Sequence, residues 1–66
     1  MKFKIGDIIR SNYITEATFK IININNDSYF LEGTRSKTHS QFDRKYIEFN
    51  FTIDDTFKLI KIIKGL

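Results

Sequence analysis

Thr18–Glu32 reads TFKIININNDSYFLE: two β-prone runs on either side of Asn25-Asn26-Asp27. Asn and Asp tolerate the left-handed backbone of tight turns, because their short side chains bond locally. A turn cluster between two such runs predicts a hairpin, although Asn-Asn-Asp is a weaker signal than Asn-Gly. The rest of the chain is expected to pair on the two edges of this central hairpin. Within the first run the alternation is imperfect: Phe19 and Ile21 share one face, Ile22 and Ile24 the other. A bulge near Ile21-Ile22 accounts for this, and so does a second buried face; the bulge is the preferred reading.

The 66 residues make one domain. A chain of this size buries only about 60 % of the surface that its unfolded form exposes, so it needs help from a staple, a metal or a partner. Cysteine is absent and there is one histidine, which excludes disulfides and thiolate zinc sites and argues against an imidazole-rich metal site. An aromatic core built from seven Phe and three Tyr, or self-association, remains. On size alone, homodimer and monomer carry equal weight. No stretch approaches the roughly 20 apolar residues that cross a bilayer, and the basic start Met1-Lys2-Phe3-Lys4 lacks a signal-peptide apolar run. The expectation is a cytoplasmic protein with no membrane association. The net charge of +3, from 11 basic and 8 acidic residues, permits nucleic acid or an acidic protein as partner and demands neither. Richness in Ile, Lys, Asn and Phe, with no Pro or Trp, points weakly to an AT-rich genome: a low-GC bacterium, or a phage or other mobile element within one.

Phe3 and Ile5 alternate with lysines, Gly6-Asp7 marks a turn, and Ile8-Ile9-Arg10-Ser11 resumes extended structure. This opening, Phe3-Lys4-Ile5-Gly6-Asp7-Ile8, resembles that of SH3-like small β-barrels, including KOW-type domains. The resemblance implies an all-β fold, a small five-stranded barrel, with Asn12–Glu16 as its first long loop. In that loop Tyr13 is expected to fold back as a cap on the barrel mouth, with an exposed ring as the alternative. Residues 32–41 hold no large apolar side chain and read as a ten-residue polar loop.

Tyr46–Ile53 alternates cleanly and predicts a strand, with Ile47, Phe49, Phe51 and Ile53 facing the core. Asp54-Asp55 reads as a turn or helix cap rather than a metal or acid–base pair, since neighbours on a strand point apart. Residues 57–64 fit a strand or a helix, and the strand is preferred. Ile53–Ile60 also resembles the short helical turn before the last strand of SH3-like barrels. The predicted core is Phe3, Ile5, Ile8, Phe19, Ile21, Leu31, Ile47, Phe49, Phe51, Phe57 and Leu59.

An enzyme is the least supported class. There is no Cys nucleophile, His39 lacks an obvious Ser and Asp partner set, and a barrel this small is filled by its own side chains. No Gly-rich phosphate cradle is present, and no cofactor is expected. The resemblance favours nucleic acid or a nucleoprotein, bound through Arg35, Lys37, His39, Arg44 and Lys45, with Tyr13 or Tyr46 as stacking rings. Cations would meet phosphates and rings would meet bases. The alternative is a phage-encoded inhibitor of a host defence protein, similar in size and style to anti-CRISPR proteins, acting by stoichiometric protein–protein binding. No motif carries that second resemblance.

Overall fold

The structure is a computed structural model and describes residues 2–14 and 16–54. Its centre is the expected hairpin around Asn25-Asn26-Asp27. Strand β1 spans Ile8–Ser11, β2 Thr18–Ile24 and β3 Ser28–Gly33. The Asn25 carboxamide oxygen accepts from the backbone N–H groups of Asp27 (3.0 Å) and Ser28 (2.7 Å), and Asn25 N–H donates to the Ser28 carbonyl at 3.0 Å. The side chain thus satisfies the turn's own donors, which is why Asn serves here without a glycine. Pairing sets Ile21 opposite Leu31, then shifts register between Ile21 and Asn23, so that Ile22 is the bulged residue. Past the bulge, Ile24 returns to the core side opposite Tyr29, and does not share a face with Ile22.

Strand β4 spans His39–Asp43, helix α1 Arg44–Asn50 and β5 Phe51–Ile53. All neighbours are antiparallel, in the order β4-β3-β2-β1-β5. The protein is therefore all-β in class, five strands around the central hairpin with one short helix. The expected barrel is not closed by hydrogen bonds among the described residues: β4 and β5 are the sheet's edges. Helix α1 packs against β3, β4 and β5 and drives Ile47 into the core. Before β1, Gly6 (φ 95°) makes the turn that Gly6-Asp7 predicted. Its N–H donates to the Ile21 carbonyl at 2.7 Å, and Ile21 N–H donates to the Asp7 carbonyl at 2.9 Å, tying the lead-in to mid-β2.

The buried apolar core is Phe3, Ile9, Ile21, Tyr29, Leu31, Ile47 and Phe51, with Phe19, Ile24 and Ile53 packed against it. Three expectations are corrected. Ile5 is 62 % exposed, because it belongs to the Gly6 turn rather than to a strand. Ile9, not Ile8, is the fully buried member of its pair, since Ile9 lies opposite both Phe19 and Ile53. Tyr46–Asn50 is helical and not a strand. The reason lies just before the helix: Asp43 caps it, its carboxylate accepting from Lys45 N–H (3.1 Å) and Tyr46 N–H (3.3 Å). At the other end the Asn50 amide donates to the Tyr46 carbonyl at 2.8 Å. A helix keeps Ile47 and the following Phe51 on one side but turns Phe49 outward, where it is 80 % exposed. A helix, α1, stands ahead of β5, and the helical turn expected near Ile53–Ile60 lies from residue 55 onward outside the described residues. Phe57, Leu59 and the strand expected at 57–64 fall outside the described residues.

The helix makes a direct prediction about Phe49. Phe49→Ser should change stability by no more than about 0.5 kcal/mol, as for other exposed positions. Thermal unfolding followed by circular dichroism reads this, and a loss above about 2 kcal/mol would restore the core-strand reading.

Candidate functional site

The stretch expected to be a ten-residue loop is shorter, because Glu32-Gly33 belong to β3 and His39-Ser40-Gln41 to β4. The turn between them is tied down. Gly33 N–H donates to the Thr38 carbonyl (2.9 Å), Lys37 N–H donates to the Gly33 carbonyl (3.0 Å), and the Thr34 and Thr18 hydroxyls lie 2.5 Å apart. Lys37 takes a left-handed backbone (φ 60°) to complete it. Arg35 and Lys37 are exposed at this tip, and neither has an ion pair among the described residues. His39 opens β4 and meets the Glu32 carboxylate at 3.0 Å across the β3–β4 rung.

The other cations sit at the far end of β4. Arg44 Nε donates to Glu48 Oε2 at 3.3 Å, one helical turn on, so its charge is committed within the fold. The same Glu48 oxygen accepts from the Tyr29 hydroxyl at 2.5 Å and from Lys2 N–H at 3.3 Å, and Lys2 Nζ donates to the Glu48 carbonyl at 2.8 Å. The Tyr29 hydrogen bond holds the Glu48 carboxyl below its ordinary range against the opposing effect of burial, with Lys2 and Arg44 adding to it. Burial pushes the Tyr29 hydroxyl up, and its bond to Glu48 pushes in the same direction. This cluster is structural: it anchors the helix and the amino-terminal segment to the buried tyrosine.

Lys45 is exposed in the first turn of α1, and the next residue, Tyr46, belongs to a pair of rings. Tyr46 stacks on Phe42 at 5.9 Å between centroids and 22° between planes, and meets the buried Phe51 edge-on at 6.5 Å. Phe42 comes from the core face of β4, opposite Tyr29, and spills over the open edge. Tyr13 does not cap a barrel mouth; it is 78 % exposed. The Ser11 hydroxyl accepts from the N–H groups of Tyr13 (3.1 Å) and Ile14 (3.0 Å), fixing a bend that throws both side chains outward.

The predicted residues therefore do not form one cluster. Arg35, Lys37 and His39 lie at one end of β4 and Arg44, Lys45 and Tyr46 at the other, separated by roughly 13 Å at about 3.3 Å per residue. Phe42 and Phe49 are surface rings that sequence reasoning missed. Recognising Asp43 as a helix cap would have found both. Among the described residues, no group of three or more His, Cys, Asp or Glu side chains could hold a metal ion, and no helix is long and apolar enough to cross a membrane. No protein-family model, curated protein or solved structure matches the chain.

Proposed function

We propose that the chain is a non-enzymatic binding module, similar to SH3-like small barrels, that contacts nucleic acid or a nucleoprotein. Support for the fold likeness comes from the antiparallel order, the bulged β2 and the helix entering the last described strand. One observation carries the functional reading: an exposed, stacked Phe42–Tyr46 pair on an element whose first turn also exposes Lys45, which has no ion pair among the described residues. Rings of this kind stack on unpaired bases while the cation meets a phosphate, and the tip residues Arg35 and Lys37, at the other end of β4, supply a second set of phosphate contacts. The preferred partner on this chemistry is single-stranded.

Titration into labelled single- and double-stranded DNA and RNA at two salt concentrations tests the reading. Binding should favour single strands and weaken with salt. Tyr46→Leu keeps the packing on Phe51 but loses the aromatic face, and should weaken binding about tenfold at either salt, given the roughly 1–3 kcal/mol per stacked base. Arg35→Glu/Lys37→Glu should instead reduce the salt slope. Absence of binding at low salt would overturn the proposal.

A second reading, a phage-encoded inhibitor of a host defence protein acting stoichiometrically, draws on Phe49 and Ile14, exposed at 80 % and 63 %. Apolar side chains so placed suit a protein interface, and capture of the partner would then resist salt.

A further inference from the structure

We infer that β4 is a self-pairing edge, and that two copies of this chain join antiparallel along it in a continuous sheet. The inference rests on β4 itself and not on the nucleic-acid reading. The β3–β4 ladder is bounded by Gly33 N–H to Thr38 carbonyl at one end and Arg44 N–H to Asp27 carbonyl at the other. In antiparallel pairing, hydrogen-bonded and non-bonded rungs alternate. Ser40 and Phe42 therefore bond to β3; His39 and Gln41 turn both backbone N–H and C=O outward, and Asp43 its N–H, the carbonyl of this N-cap residue serving the first turn of α1. Among the described residues these outward backbone groups have no partner within the chain. Edges of this kind are normally protected by Lys, Pro or a bulge on the strand. HSQFD contains neither residue, and the bulge lies in β2.

A second copy fits because the strand is complementary to itself. With Gln41 on the twofold axis, all three outward residues pair at once: Gln41 with Gln41 of the partner subunit, and His39 with Asp43 of the partner subunit, twice over. The Gln41 rung exchanges both of its backbone hydrogen bonds, and each outer rung makes one, from Asp43 N–H to the carbonyl of His39 of the partner subunit, because the Asp43 carbonyl serves α1. On the polar face the His39 Nδ1, with Nε2 held by Glu32, meets the Oδ1 of the partner's Asp43, whose Oδ2 caps α1, and on the other face Ser40 meets the 37 %-exposed ring of the partner's Phe42. Moving the axis to Ser40 or Phe42 loses the His–Asp match. The register also has a cost. Just beyond the strand, Lys37 approaches the partner subunit's Lys45, and like charges placed opposite repel. A five-residue strand pair buries little area, which sets the dimer in the weak class.

Sedimentation equilibrium on the protein alone, from about 10 μM to about 1 mM, tests the pairing. The wild-type chain should dimerise reversibly within that range. Gln41→Pro removes an outward N–H and one exposed side-chain bond, from the Gln41 amide to the Ser28 hydroxyl, so the monomer should keep its circular dichroism while dimerisation weakens about tenfold or more. Gln41→Lys, which sets two lysines on the axis, should do the same and carries the test if the proline variant unfolds. Lys45→Glu replaces the repulsion with an attraction and should tighten the dimer about threefold. A wild-type chain that stays monomeric throughout, or a dimer that neither folded Gln41 variant weakens, overturns the pairing. Indifference to Lys45→Glu overturns the register.

Discussion

Leu31→Ala is expected to unfold a substantial part of the population at physiological temperature. Leu31 is fully buried at the middle of β3, itself the strand between β2 and β4, and it lies opposite the equally buried Ile21. Removing its outer carbons loses their transfer free energy and leaves a cavity that a tightly paired sheet closes only in part. Such changes cost about 2–5 kcal/mol. At roughly 0.05–0.15 kcal/mol per residue, a domain of this length holds only about 3–10 kcal/mol in total, so the loss is a large fraction of it. With about 4–8 °C of melting temperature per kcal/mol in domains of this size, the midpoint should fall by at least about 8 °C. Ile22→Ala offers the control: Ile22 is the bulged, half-buried neighbour one residue along β2 from Ile21, and its loss should cost distinctly less. Thermal unfolding of the two variants side by side gives the answer. Equal effects would mean that the bulge does not divide a core face from an outer one.

The contrast between those two isoleucines also shows what the sequence makes legible. Local chemistry was readable: the Asn25-Asn26-Asp27 turn closes with its own side chain, the Gly6-Asp7 turn needs its glycine, and the broken alternation of β2 does mark a bulge. What failed depended on partners distant in the chain, or on spacings that fit two periods. Ile47 and Phe51 lie four apart, a spacing that serves a strand and a helix equally, and only the Asp43 cap separates the two. Ile8 and Ile9 are chemically identical, so the choice between them belongs to Phe19 and Ile53 across the sheet. Tyr29 is buried because Glu48, nineteen residues later, receives its hydroxyl. The candidate site shows the same division. Its cations and tyrosines could be named singly, but their separation by β4 could not be foreseen while residues 32–41 read as one loop.

That long-range tyrosine–glutamate bond leads to the second large effect, a dependence of stability on pH that one substitution should remove. The Glu48 carboxylate accepts from the Tyr29 hydroxyl, Lys2 N–H and Arg44 Nε. Its folded pKa therefore lies below the ordinary 4.5, first through the Tyr29 bond. Between the folded and unfolded values the unfolded chain binds more protons, so stability rises with pH through that window. The contribution is complete above the ordinary carboxylate range and disappears as pH falls through the folded value. Tyr29 acts in the opposite sense at the alkaline end. Burial, followed by the bond to Glu48, raises its hydroxyl above the ordinary 10.0, so that contribution holds below 10.0 and is lost as pH climbs through the folded value. Glu48→Gln keeps the shape and an acceptor for Tyr29 but removes the charge, and should cost about 1.5–3 kcal/mol near neutrality, as for hydrogen bonds to charged groups. The other carboxylates titrate in both proteins and cancel in the comparison. Denaturant unfolding of the two proteins from about pH 3 to about pH 7 should therefore give stability curves that lie apart near neutrality and converge in acid. Curves that run parallel across the range would show that Glu48 acts through its shape alone, and the tie between α1 and Tyr29 would then be a neutral one.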